Sequence, residues 1–324
     1  MRGLEFGIHC PVWCIRFQLQ DQGCNQGEVS KEAAQDAKPW GRKNEKCREG
    51  PPRLTCSLPD ICLPFSTEIL RQEPFTGGDD YQADFDPKAY LRHYKFGEDT
   101  FGEDYLNFSL KHYCKTFTSG VVTGDTLIDI GSGPAIHQLL SACESFKEII
   151  ASDYTYRNHQ ELEKWLKNEP GAFDWTPVVK YVCELEGNRY RDWKKQIVLK
   201  CDVHKSNPMD PVILPPADCL VSSLCLEGAC KDLTTYRIAL KNISSLLKPG
   251  GHLVLSGVLG CSFYMVGPKR FSSLVLGEEF LREALSDTGF IIQEFEVLIR
   301  DDNTDDSCDF SGKFFILARK EEAI

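Results

Sequence analysis

From residue 75 onward, apolar runs of strand length alternate with stretches whose apolar positions recur every three or four residues. That texture predicts βαβ units around a mainly parallel sheet. The first complete unit reads as a strand over 126–130, a glycine turn at Gly131-Ser132-Gly133-Pro134, and a helix carrying Ile136, Leu139 and Leu140. A second strand over 148–152 runs into Asp153, followed by a helix over 160–167 with Leu162, Trp165 and Leu166 on one face. Further strands are predicted at 197–201, 217–222 and 252–255. The run 236–247 reads as a helix whose Ile238, Leu240, Ile243, Leu246 and Leu247 face the sheet, stopped by Lys248-Pro249-Gly250-Gly251. Two last strands, 291–299 and 313–318, flank the polar loop 300–309.

Residues 1–73 have neither period. Their Cys, Pro, Gly, Gln and charged residues cannot bury enough apolar surface to offset the entropy of ordering, which predicts a mostly disordered extension before a domain spanning 74–324. The first twenty residues hold no continuous apolar core, and 250–267 is too rich in Gly and Ser to span a bilayer, so neither a secretory signal nor a membrane anchor is predicted. The expectation is an intracellular, cytoplasmic protein. The 37 Lys and Arg against 48 Asp and Glu leave a formal charge of −11, which gives no electrostatic reason to expect nucleic acid or an anionic membrane as partner. A small molecule is expected instead. Of the 15 cysteines, six fall in the first 62 residues without a CxxC pair, and those from Cys114 to Cys308 have no paired ligand spacing; reduced thiols and no metal are expected.

A glycine turn between strand and helix lets backbone approach a ligand closely, since Gly131 and Gly133 carry no Cβ. Asp153, at the predicted end of the next strand, is placed to accept hydrogen bonds from two ribose hydroxyls, so the pair predicts a nucleoside. A dinucleotide would ask for a third glycine where Ile136 stands, which argues against a nicotinamide cofactor. The turn Asp129-Ile130-Gly131-Ser132-Gly133 instead resembles the D-x-G-x-G turn of class I methyltransferases that bind S-adenosylmethionine, with Asp202-Val203 where that fold holds the adenine.

From Phe75 to the end the chain resembles the small-molecule amine methyltransferase family of nicotinamide, indolethylamine and phenylethanolamine N-methyltransferases. The matching stretches are FTGGD from Phe75, DTLIDIGSGP from Asp125, ELEKWLKNEPGAFDW from Glu161, LKCDV from Leu199, LPPADC from Leu214, SLLKPGGH from Ser245 and YMVG from Tyr264. The resemblance implies a Rossmann-like α/β fold, with a mainly parallel sheet, an antiparallel last strand and helices on both faces. It implies lid helices over 74–118 on a core over 119–324, S-adenosylmethionine as cofactor, and a monomer acting on a small amine or pyridine. Carried over by position, Tyr90 and Tyr94 belong to the lid. Gly131, Ser132 and Gly133 meet the amino-acid portion of the cofactor, Asp153 and Asn158 the ribose, Asp202 and Val203 the adenine, and Ser223 the methionine end. Gly257, Cys261, Tyr264 and Ser273 fall on the acceptor side. At Gly257 the nicotinamide enzyme has an Asp that grips the pyridine amide, and glycine cannot; Ser273 matches that enzyme, Cys261 does not. The acidic loop 301–309 and the shortened segment 188–198 depart from the relatives.

Methyl transfer from a sulfonium is an in-line displacement that needs positioning and water exclusion more than covalent help. An alkylammonium must lose a proton first, and Glu227, just beyond the strand ending at Ser222, is the acid placed to take it, with the phenol of Tyr90 as a second candidate catalytic group. The structural alternative is that Glu227 caps a turn. Two other functions stay open at this stage: a non-catalytic cofactor-binding module and a thioether S-methyltransferase, whose sulfur nucleophile needs no proton removal.

Overall fold

The computed structural model describes residues 74–92, 101–187, 196–300 and 306–322. The extension expected over 1–73, the candidate Tyr94, residues 188–195 of the shortened segment and 301–305 of the acidic loop lie outside the described residues.

Nine strands and eight helices are described. Seven strands make one sheet in the order β3-β2-β1-β4-β5-β9-β8, with β1 (Gly124–Ile130), β2 (Phe146–Asp153), β3 (Gln196–Lys200), β4 (Ala217–Ser223), β5 (Leu247–Leu259), β8 (Phe290–Ile299) and β9 (Gly312–Lys320). The pairs from β3 to β5 are parallel, while β9 runs antiparallel to both β5 and β8. The antiparallel strand is the last in sequence, as the resemblance implies. A separate hairpin pairs β6 (Phe263–Val266) with β7 (Lys269–Ser272).

Alternation along the strands sends neighbouring residues to opposite faces. Ile128 and Leu220 join a core with Leu240, Ile243, Leu281 and Leu285 from α7 (Leu233–Ser244) and α8 (Glu278–Asp287). Leu127, Cys219 and Val221 join the opposite core, with Leu106, Leu110 and Tyr113 of α3 (Phe101–Thr118), Leu162 of α4 (Tyr156–Leu166) and Val178 of α5 (Thr176–Leu185). Both sheet faces are therefore covered, which is why β1, β2 and β4 read as near-continuous apolar runs.

Two expectations need correction. The predicted helix after the glycine turn is a single 3-10 turn, His137–Leu139. Gly131 and Gly133 both take positive φ, Pro134 has no N–H to donate, and His137, Gln138 and Leu139 are all buried, so no polar face remains for an amphipathic helix. The helix predicted over 236–247 starts at Leu233, capped by the Asp232 side chain accepting from Thr235 N, and ends at Ser244; the Pro-Gly-Gly sequence lies inside β5. Ile238 is exposed, because a 3.6-residue turn puts Tyr236, Ala239, Leu240 and Ile243 on one side and residue 238 on the other.

The N-terminal part folds as α1 (Gly78–Asp84) and α2 (Pro87–Arg92). Thr76 N donates to Ser272 Oγ at 2.8 Å and Ser272 N donates to Thr76 Oγ1 at 3.0 Å, a reciprocal pair that fastens this segment to β7. Gln82 Nε2 donates to Tyr154 O at 3.3 Å on the other side.

Candidate active site

The strand order reverses between β1 and β4, and ligands of open α/β sheets bind at the carboxyl ends of strands at such a point. There a cavity of about 370 Å³ opens, lined from the sheet by Gly131, Ser132, Gly133, Asp153 and Ser223, and from the N-terminal segment by Phe75, Tyr81 and Tyr90.

Gly131 has φ +70 and Gly133 φ +58, both in the left-handed region that favours glycine. A Cβ on Gly131 would lie 2.1 Å from Cys225 Sγ, so the bend is shaped by a protein neighbour, while the space at Gly133 is open. Ser132 lines the cavity but its polar groups are engaged with β2: its N donates to Ser152 O at 2.8 Å and its Oγ accepts from Ser152 N at 3.1 Å. Beneath the turn, Gln138 Nε2 donates to Asp129 Oδ2 at 2.7 Å; burial pushes the Asp129 carboxyl up to about 7 against hydrogen bonds that pull it down.

Asp153 ends β2 and is buried at the cavity wall. Its Oδ1 accepts from Thr155 N at 2.7 Å, Thr155 Oγ1 at 3.0 Å and Asn158 Nδ2 at 2.9 Å, and its Oδ2 accepts from Gly133 N at 2.9 Å. A carboxylate offers about four acceptor sites, so Oδ2 retains a lone pair. Asn158 Oδ1 is buried without a hydrogen-bond partner. Both residues line the cavity, and one retained lone pair with one orphaned amide carbonyl suits hydroxyl donors such as the vicinal pair of a ribose. Asp202 and Val203 line the same cavity beyond the end of β3; the Asp202 carboxylate accepts from His204 N at 3.0 Å.

The opposite part of the cavity is walled by Tyr264, Cys261, Ser273, Ser307 and Cys308. Cys261 Sγ donates to Phe263 O at 3.2 Å, and burial pushes its thiol up, as it does the Cys225 thiol, so both are packing thiols. Met265 N donates to Ser307 O at 2.8 Å and Asp309 accepts from Ser262 N at 2.7 Å, which seats the end of the acidic loop against the β6–β7 hairpin.

Glu227 lies in the short helix α6 (Leu226–Ala229), 6% exposed, and lines the cavity; its Oε1 has no partner. Burial pushes its carboxyl up to about 7, against backbone hydrogen bonds from Glu227 and Val258 that lower it. Gly257, expected on the acceptor side, does not line the cavity. A Cβ there would lie 2.5 Å from Glu227 Oε1 and 2.8 Å from the Phe314 ring, so Glu227 occupies the space a side chain at 257 would need.

Several lining residues escaped the sequence reading as site residues: Tyr105 of α3, His137 and Tyr154. Burial lowers His137 to about 3, so it is neutral. The Tyr105 phenol is raised to about 12 by burial, with Ser223 and Ser256 pulling it down. None carries a local motif; what brings Tyr105 to the site is tertiary packing, α3 resting against β9, the 3-10 turn and α5 while the Tyr105 hydroxyl reaches Ser223 of β4 and Ser256 of β5. Beside it, Leu224 takes φ +52, a left-handed conformation rare for a side-chain-bearing residue, with its N donating to Ser256 O at 3.0 Å. Among the described residues no cluster of His, Cys, Asp or Glu is arranged to hold a metal, the nine cysteines form no disulfide, and no helix is long and apolar enough to cross a membrane.

The family profile described as NNMT/PNMT/TEMT matches residues 72–321. Nicotinamide N-methyltransferase of Sus scrofa is 55% identical over 256 residues, covering 76% of this chain and 97% of that protein. Indolethylamine N-methyltransferase of Oryctolagus cuniculus is 52% identical over 231 residues, covering 68% and 88%. Phenylethanolamine N-methyltransferase of Homo sapiens is 39% identical over 251 residues, covering 73% and 89%.

Proposed function

The chain belongs to the NNMT/PNMT/TEMT family, and from that membership and its cavity we propose that it transfers a methyl group from S-adenosylmethionine to the nitrogen of a small aromatic-bearing amine or aza-heterocycle. The observation that carries this is the Asp153–Asn158–Gly133 arrangement at the carboxyl end of β2, opening onto the same cavity as a buried acid, Glu227. S-adenosylmethionine, when bound, supplies an electrophilic methyl on a sulfonium sulfur.

Asp153 and Asn158 are suited to hold its ribose, Asp202 and Val203 its adenine, and Gly131, Ser132, Gly133 and Ser223 its methionine portion. Tyr81, Phe85, Tyr90 and Tyr264 give the cavity aromatic walls, with Tyr81 and Phe85 stacked at 5.1 Å, and these suit a flat acceptor and exclude water from it. Cys261 and Ser273 complete that side. Glu227, balanced between its two forms near neutral pH, is suited to take the proton an alkylammonium must lose. Gly257 acts by leaving room for that carboxyl. Tyr90 reaches the cavity from α2, its ring 5.3 Å from Phe85, which supports a lid role. Among the described residues nine cysteines stand outside any disulfide, which supports a reducing compartment such as the cytoplasm.

Isothermal titration with S-adenosylhomocysteine tests the reading. Binding is expected, and Asp153→Ala is expected to weaken it by about 1–3 kcal/mol, the cost of hydroxyls left without an acceptor. An intact protein that does not bind overturns it. A methyl-transfer screen of tryptamine, nicotinamide and simple thioethers then names the acceptor.

A further inference from the structure

The cavity carries charge of one sign. Asp153, Asp202 and Glu227 line it, and among the described lining residues there is no Lys or Arg. Burial lowers His137 to about 3, so its imidazole adds no positive charge, and His204 Nε2 lies 3.0 Å from Ala229 O. Asp153 is engaged by four hydrogen bonds and Asp202 by His204 N, whereas the buried Glu227 has no partner at Oε1. The titratable groups that feel its charge are Tyr105 of α3, Tyr236 of α7, Cys225 and Cys230 at the two ends of α6, and Cys261 beyond β5, all held neutral because burial raises them. Toward β5 and β9 it faces Gly257 and the Phe314 ring, which carry no charge. Among the described residues, then, this carboxyl has no counter-ion, and it opens onto the space where a ligand lies.

We propose that Glu227 sorts cofactor from product by charge: its ionised carboxyl favours the cationic S-adenosylmethionine over the neutral S-adenosylhomocysteine, and binding of the cation in turn releases the Glu227 proton to solvent. This rests on the methyltransferase reading above. The two ligands share adenine, ribose and amino-acid portion, so Asp153, Asn158, Asp202 and the glycine turn serve both alike. They differ by one methyl group and one positive charge. In a cavity walled from water that charge is weakly screened, and a carboxylate without a counter-ion responds to it. The effect is reciprocal: the factor by which ionised Glu227 tightens the cation is the factor by which the cation favours ionised Glu227. Since burial holds the carboxyl near 7, both forms are populated at neutral pH and the linkage is visible there. The loaded protein thus presents an ionised Glu227 to an acceptor ammonium. After transfer the sulfur is uncharged and Glu227 holds the acceptor's proton, so the attraction is withdrawn when the product has to leave. With cofactor below saturation, the ionisation that governs rate is that of the unloaded protein; saturating cofactor moves the limb to lower pH.

The test is calorimetric titration of the full chain with S-adenosylmethionine and with S-adenosylhomocysteine, no acceptor present, from about pH 6 to pH 8 and in two buffers of different ionisation enthalpy. The ratio of dissociation constants, product over cofactor, is expected to rise about three- to tenfold across that range, as Glu227 ionises and the cation alone gains. At pH 7 the cofactor is expected to release a fraction of a proton that the product does not. Glu227→Gln is expected to flatten the ratio and erase the difference in proton release, with S-adenosylhomocysteine affinity within about threefold of wild type; a residue that only packs would weaken both ligands together. A flat ratio in wild type, equal proton release by both ligands, or a pH dependence that survives in Glu227→Gln overturns the proposal. Should Glu227→Gln not fold, the two wild-type readings decide it. A protein that binds both ligands with a flat ratio sinks this inference and leaves the methyltransferase reading standing, whereas one that binds neither removes both.

Discussion

Glu227 shows how a single side chain can be set by what its neighbour lacks. Its carboxyl rests against the bare Cα of Gly257, away from water, and is raised from 4.5 to about 7. If it receives the acceptor's proton, kcat/KM for an amine rises as pH passes through about 7, and Glu227→Gln loses that limb together with about a hundredfold or more in rate. The same shift has a stability sign. Because the folded state prefers the neutral acid, the penalty is absent below the unfolded value of 4.5, grows as pH rises, and is complete above about 7, where it is on the order of 3 kcal/mol. Glu227→Gln is therefore expected to unfold at higher urea than wild type at pH 8, with the difference shrinking toward pH 5. Asp153, Asp202 and Glu227 were legible as cavity residues because each lies at or just beyond a strand end, and strand ends are marked by apolar runs. Gly257 was legible as a missing side chain, but its consequence was not, since only the fold turns residue 257 toward residue 227. Tyr105 and His137 were illegible for the same reason.

Among the elements, the bend after β1 is the most constrained. Gly131→Ala would force a Cβ into the left-handed region and within 2.1 Å of Cys225 Sγ. The expected cost is about 2–5 kcal/mol, with lost S-adenosylhomocysteine binding, read by thermal unfolding and titration. Cys225→Ala in the same chain is expected to recover only part, because the Cys225 Cβ remains 2.6 Å away. The strands were read within a few residues because a sheet covered on both faces writes its apolar content directly into the sequence. The helix after the bend was misread because the apolar spacing of Ile136, Leu139 and Leu140 also suits a turn buried on all sides. For α7 the Asp232 cap sets the start at Leu233, ahead of where apolar period placed it, and Ile238 is the residue that period misplaced.

At the scale of the molecule, every residue assigned a role lies within the stretch that the family profile matches, 72–321. A chain beginning at residue 74 is accordingly expected to bind S-adenosylhomocysteine and transfer methyl groups as the full chain does; a loss of more than about tenfold in kcat/KM would assign residues 1–73 a part in catalysis. The architecture was legible from alternation and from one glycine turn, whereas the hairpin β6–β7 and the helices α5 and α8 were not, being short or lacking a motif. The reciprocal bonds between Thr76 and Ser272 join positions 196 apart in sequence, and Thr76 itself lines the cavity. Two backbone donors and two small hydroxyls thus tie the first residues of the domain to a hairpin near its end, through contacts that leave the hydrogen-bond ladder of the main sheet untouched.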